Sequence, residues 1–316
     1  VKVKRNHGYS RTVPMVAGET VISMGPKCHV LAADALSGDF LWGLDLVAAE
    51  GTVVPPWYAG QCPLVVEDRL FLAPAGQHLL VALNPRTGEQ LWATANTPGW
   101  QMTHSSLLPV TIGGVAQVVY CGSGGVAGVA RETGELLWVC DQWHISIATV
   151  PSPVDLGEGR FLLSGGYDAG GALLQVSQQD GAWTASITQR WPAKVFGAPQ
   201  QTPIAWHDLV LSLRQDGELC ALDPHQGLRW SSGVNLRFGL GPMLLVNDLV
   251  LALKDDGWLH LLQPSADGVT LLARAKVLPG HEAWAPMAFA DGLLLVRDSS
   301  ELRCLDLRPP VTGGTP

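Results

Sequence analysis

Charge is scarce in this 316-residue chain. Asp, Glu, Lys and Arg together make up 15% of it, against about a quarter in ordinary globular proteins. With 47% hydrophobic residues, such a chain is too apolar to stay disordered. Basic clusters are scarcer still. Only Lys2, Lys4 and Arg5 group together, the net charge is −8 and the isoelectric point is near 5.5. A nucleic-acid surface rests on clustered Lys and Arg, so that class is excluded. Mean hydropathy is high at +0.18, yet the richest apolar run, 242–253, is broken by Asn247 and Asp248. No run is long enough for a membrane-spanning helix. The six cysteines contain no C-x-x-C pair, so zinc and redox spacings are missing. Most of them stand in apolar strand-like runs and are expected to be small buried hydrophobes; their even number leaves disulfides open. The chain opens on Val1 and is expected to be processed or cut from something longer.

Phe and Tyr are few, 6 and 4, while Trp reaches 12. That inversion leads to the repeat. Ala33-Asp34-Ala35-Leu36-Ser37-Gly38 runs on to Leu41-Trp42, and Leu83-Asn84-Pro85-Arg86-Thr87-Gly88 to Leu91-Trp92. Arg131-Glu132-Thr133-Gly134 runs on to Leu137-Trp138, and Asp223-Pro224-His225-Gln226-Gly227 to Trp230. Degenerate copies surround Asp180-Gly181, where Trp183 is read as the repeat tryptophan, and Asp267-Gly268; a last copy ends at Asp306. Trp42, Trp92, Trp138, Trp183 and Trp230 are 50, 46, 45 and 47 residues apart. Each unit reads as a short strand opening near a proline, a turn, an apolar strand, a second turn, the Ala-Leu-Asp strand, a third turn and the tryptophan strand. Asp or Asn nucleates the third turn through backbone N–H groups, and Gly supplies its positive φ. Four short antiparallel strands repeated about seven times describe an all-β propeller with seven blades, or eight if sequence precedes Val1. One propeller domain is expected over 1–307, with 308–316 as tail or linker.

The Ala-x-Asp-x-x-Thr-Gly-x-x-x-Trp pattern, carried best by Asn84, Thr87, Gly88 and Trp92, resembles the PQQ-type quinoprotein repeat. No Gly-His…Trp-Asp pairing recurs, which argues against WD40 repeats. The resemblance implies a propeller over nearly the whole chain. It leaves two functions in view: quinoprotein dehydrogenases, and the non-catalytic lipoprotein of the outer-membrane β-barrel assembly machinery. The dehydrogenase reading requires PQQ, oxygen ligands for Ca²⁺, an Asp base and adjacent cysteines. No two cysteines are neighbours, and Glu282 is the one carboxylate the pattern places at the channel. The reading adopted is a rigid, non-catalytic scaffold without cofactor, binding another protein subunit or a peptide segment in a bacterial extracytoplasmic complex. The alternative is a small PQQ-dependent dehydrogenase or another enzyme that uses the central channel mouth.

The start of each innermost strand should line that mouth. The candidates are Arg11, Gln61, His104, Gln200, Gln201, Arg237, His281, Glu282 and Trp284, with Trp57, Trp100 and Trp143 from adjacent loops. Polar groups among aromatic walls suit a small or peptide ligand. Val1-Lys2-Val3-Lys4-Arg5 alternates like an outer strand and is expected to complete the last blade, leaving no open edge.

Overall fold

A computed structural model describes residues 11–280 and 282–309. Seven antiparallel sheets, each a meander in chain order, form a seven-bladed β-propeller. The first blade holds Met15–Ala17, Thr20–Met24, His29–Asp34 and Phe40–Asp45 from the inside out. Five further four-stranded blades span 64–95, 108–140, 154–191, 204–231 and 243–276. The last has three strands among the described residues: Ala288–Ala290, Leu293–Arg297 and Leu302–Asp306. The strand expected of residues 1–5 lies outside the described residues, as does His281. The one α-helix among the described residues is a single turn, Leu46–Glu50, capped by Asp45 and closed by Gly51.

Apolar side chains fill the seams. The largest cluster joins Ile22, Met24 and Val30 of the first blade to Leu70, Phe71 and Leu80 of the second and Tyr120 of the third. Others couple the third blade to the fourth, the fourth to the fifth, the fifth to the sixth and the sixth to the seventh. Cys28, Cys121, Cys140 and Cys220 are buried and all six thiols are free. Burial pushes the Cys28 thiol up to about 11 and those of Cys121 and Cys220 to about 12, so they stay protonated and unreactive.

The tryptophans tie one blade to the next. Trp42 Nε1 donates to the Pro85 carbonyl at 3.0 Å, Trp92 Nε1 to Arg131 at 3.1 Å and Trp230 Nε1 to Ser265 at 2.9 Å. The Trp42 ring lies so close to Gly88 that a Cβ there would stand 2.7 Å from it. Gly88 therefore serves twice, for its φ of 73° and for the missing side chain. In all six four-stranded blades a bulge follows the partner of this position. That register corrects one expectation. The fourth blade's counterpart of Trp42 is Gln189, and Trp183 lies nearer the tip of a longer hairpin. With its amide nitrogen turned forward, Gln189 donates to the Pro224 carbonyl at 3.2 Å, replacing the indole N–H. Trp138 instead packs on Gly128 of its own blade and donates to Gln117 Oε1 at 2.8 Å.

Candidate functional site

Every inner strand begins on the same face of the ring, and neighbouring starts are stitched together. The Val13 N–H donates to Cys62 Sγ at 3.3 Å. Cys62 N–H donates to Ser106 Oγ, Ser106 N–H to Ser152 Oγ and Ser152 N–H to Thr202 Oγ1, each at 3.0 Å. This relay satisfies strand-start donors that have no ladder partner. The readable signal was a small hydroxyl or thiol side chain at the strand start, before proline in three of the four blades.

Above the relay the channel widens into a cavity of about 790 Å³. Arg11, His104, Gln200, Gln201, Glu282, Trp284 and Trp57 all line it, joined by Tyr167. Arg11 and Lys27 stack on the Tyr58 ring, 5.1 and 4.8 Å from its centre. Burial lowers the Arg11 pKa, opposed by Tyr58 and Glu282. Burial also pushes His104 below its usual 6.5, partly offset by bonds to the backbone of Pro56 and Tyr58. The His104 ring is therefore neutral at pH 7, and its Nδ1 has no partner. Gly60 leaves room for this ring, since a Cβ there would sit 2.9 Å from it. Trp284 is held by its N–H on Asp255 Oδ1 at 2.8 Å, the atom that also accepts Leu240 N–H. Gln201 reaches the Leu240 carbonyl at 3.4 Å, and Gln200 Oε1 is buried without a partner.

The backbone here is strained. Trp57, Tyr58, Tyr167 and Glu282 have φ values of 59°, 75°, 54° and 62°. Bulky side chains seldom adopt such values, and they persist where the surroundings enforce them.

The other candidates serve the frame. Gln61 is fully buried, its amide closing both hydrogen bonds to the backbone of Ala73. Trp100 is buried against Gly122 and Gly124, and Trp143 belongs to the cluster between the third and fourth blades, with Arg190 over its ring. Arg237 stands on the rim and pairs with Glu218 at 3.1 Å. Glu218 also holds buried Arg214 at 2.8 Å, and Arg214 reaches the Lys194 carbonyl, so this network clasps three connections.

A quinone–Ca²⁺ centre needs a cage of hard oxygen ligands, and the mouth does not fit one. Its carboxylates are Glu282 and Asp298. The Asp298 oxygens are already engaged by the N–H groups of Gly280, Ser300 and Glu301. Among the described residues no three His, Cys, Asp or Glu side chains gather as metal ligands.

A family model described as outer membrane protein assembly factor BamB matches residues 2–232. The chain belongs to the BamB family. Among solved structures, BamB from Moraxella catarrhalis superposes with a TM-score of 0.65 at 15% identity, covering 93% of this chain and 84% of that one. The computationally designed Ika8 protein gives 0.50 at 11% identity, covering 95% and 96%. Both likenesses concern the fold. No curated protein matches the chain in sequence. BamB-family membership supports an assembly scaffold at the level of the family, with protein partners. No described helix is long and apolar enough to cross a membrane.

Proposed function

We propose that this BamB-family propeller is a non-catalytic scaffold of a bacterial extracytoplasmic assembly complex, and that the channel mouth holds a segment of its partner. The observation that carries this reading is the cavity itself. It is preformed, about 790 Å³ in volume, walled by Trp57, Tyr167 and Trp284, and supplied with polar groups from several blades. That size and lining match sites that enclose a few residues of peptide.

The test is a photo-cross-linking residue placed at Tyr167 in native cells, compared with one at His225 in a turn on the opposite face. A discrete adduct with an envelope protein from the Tyr167 site alone, reduced at least fivefold by Trp284→Ala, is the expected result. Equal labelling from both sites, or none from either, would overturn the assignment.

A further inference from the structure

Gly, Asn and Asp reach a positive φ at little cost, whereas a bulky side chain there is strained. The turns between first and second strands, on the face opposite the mouth, keep to that rule. They place Glu67, Glu158, His207, Asn247, Asp248 and Asp291 at positive φ, all polar. Among the described residues, Trp and Tyr take a positive φ at three positions: Trp57, Tyr58 and Tyr167. Trp57 and Tyr167 both line the mouth cavity.

Two hydrogen bonds identify the turns that hold them. The Tyr58 N–H donates to the Pro55 carbonyl at 2.9 Å, which puts Pro56 and Trp57 at the centre. Proline followed by a positive φ describes a type II turn, whose second central position belongs to Gly or Asn. Trp57 stands there with a φ of 59°. The Ala169 N–H donates to the Gly166 carbonyl at 3.0 Å, and Tyr167 and Asp168 between them have φ values of 54° and 62°. That is a type I′ turn, for which Asn-Gly is the favoured pair. The equivalent hairpins of the fifth and sixth blades turn on Asp216-Gly217 and Asp256-Gly257, where glycine carries φ values of 82° and 85°.

Burial does not explain either ring, since Trp57 and Tyr167 are each 44% exposed. One apolar strip reaches both turns. Ala148, Val150 and Pro199 line the cavity with them. Pro199 lies against Gly166, where a Cβ would stand 2.8 Å from it. The Thr149 carbonyl takes the His104 N–H at 3.0 Å, and the His104 ring packs on Gly60 of the Trp57 loop. Strain retained at exposed residues around a cavity is the pattern of a ligand clamp.

We propose that Trp57 and Tyr167 form an aromatic clamp, held out by strained turns, that grips an uncharged apolar side chain of the partner segment. The proposal rests on the mouth reading above and adds to it the residues that set specificity and the class of side chain they take. The two ring faces and the strip supply the apolar area. Aromatic side chains have two torsions each, so little freedom is lost on contact.

The test reads two effects of opposite sign. Tyr167→Asn suits the type I′ turn, so the thermal midpoint should hold or rise by about 2 °C. The same substitution should cut at least fivefold the adduct formed in native cells by a photo-cross-linking residue at Ile147, which is 48% exposed beside the strip. Trp57→Asn should cut it as far. Tyr167→Phe restores the ring and should restore the adduct. Asp168→Gly eases the turn without touching either ring, and should raise the midpoint and keep the adduct. A midpoint several degrees lower in Tyr167→Asn would assign the ring to the fold and overturn the proposal. So would an adduct kept by both Asn variants, or one lost in Tyr167→Phe, which would make the phenol hydroxyl the contact. No adduct from Ile147 or Tyr167 in the parent would remove the mouth reading and the clamp with it. A parental adduct that the Asn variants keep would remove the clamp alone.

Discussion

Ser106 Oγ accepts the backbone N–H of Cys62 from the neighbouring blade at 3.0 Å, one step of a relay from the first blade to the fifth. Its atoms both close the floor of the mouth and hold adjacent inner strands in register. Ser106→Ala leaves the Cys62 N–H without its acceptor. A loss of about 1–2 kcal/mol is expected for such a stranded donor, read from urea unfolding; an unchanged midpoint would show that the relay contributes nothing.

Gln61→Leu separates frame from site. It strands both backbone groups of Ala73 and should destabilise the chain by roughly 2 kcal/mol. The Tyr167 cross-link should survive, because Gln61 does not reach the cavity. Loss of the adduct in a folded variant would return Gln61 to the binding surface.

Trp42→Phe keeps most of the apolar area but removes the donor to Pro85, for an expected cost of about 1 kcal/mol. Gly88→Ala should cost more, because a Cβ would both meet the Trp42 ring and strain a φ of 73°. Paired with Trp42→Ala, the glycine substitution should lose part of its cost. Full additivity would mean the two residues do not share one contact.

Acid should loosen the rim. The Ser231 hydroxyl and Arg237 hold the Glu218 pKa below its usual 4.5, against burial, which acts in the opposite direction. A carboxylate depressed in the folded chain contributes stability that is complete above its unfolded pKa and is lost as pH falls through the folded one. Thermal midpoints should therefore fall as pH drops below about 4.5. Glu218→Gln should lower the plateau at neutral pH and flatten that acid limb; an acid limb as steep as the parent's would assign it to other groups.

Blade number, turn chemistry and the Trp42, Trp92 and Trp230 ties were legible because a repeat states them several times. Gln189 was not, because an amide in place of an indole breaks the pattern while keeping its N–H. At the mouth, Arg11, His104, Gln200, Gln201, Glu282, Trp57 and Trp284 were legible from their place at strand starts and loops. Gln61, Trp100 and Trp143 share those places yet turn inward, and Arg237 turns to Glu218. Side-chain direction in an irregular loop follows from local packing, which no periodicity reports.

The forward hydrogen bonds have a consequence for anyone who would cut and recombine such a ring. Trp42 is encoded with one sheet but finds its glycine and its acceptor on the following one. The modules visible in the sequence are therefore offset from the modules that cohere. An excised cassette bounded at the blade edges severs a tryptophan from its seat at both ends. One bounded just after the turn glycines Gly38 and Gly88, before the fourth strands begin, carries Trp42 together with the Pro85–Gly88 turn it covers.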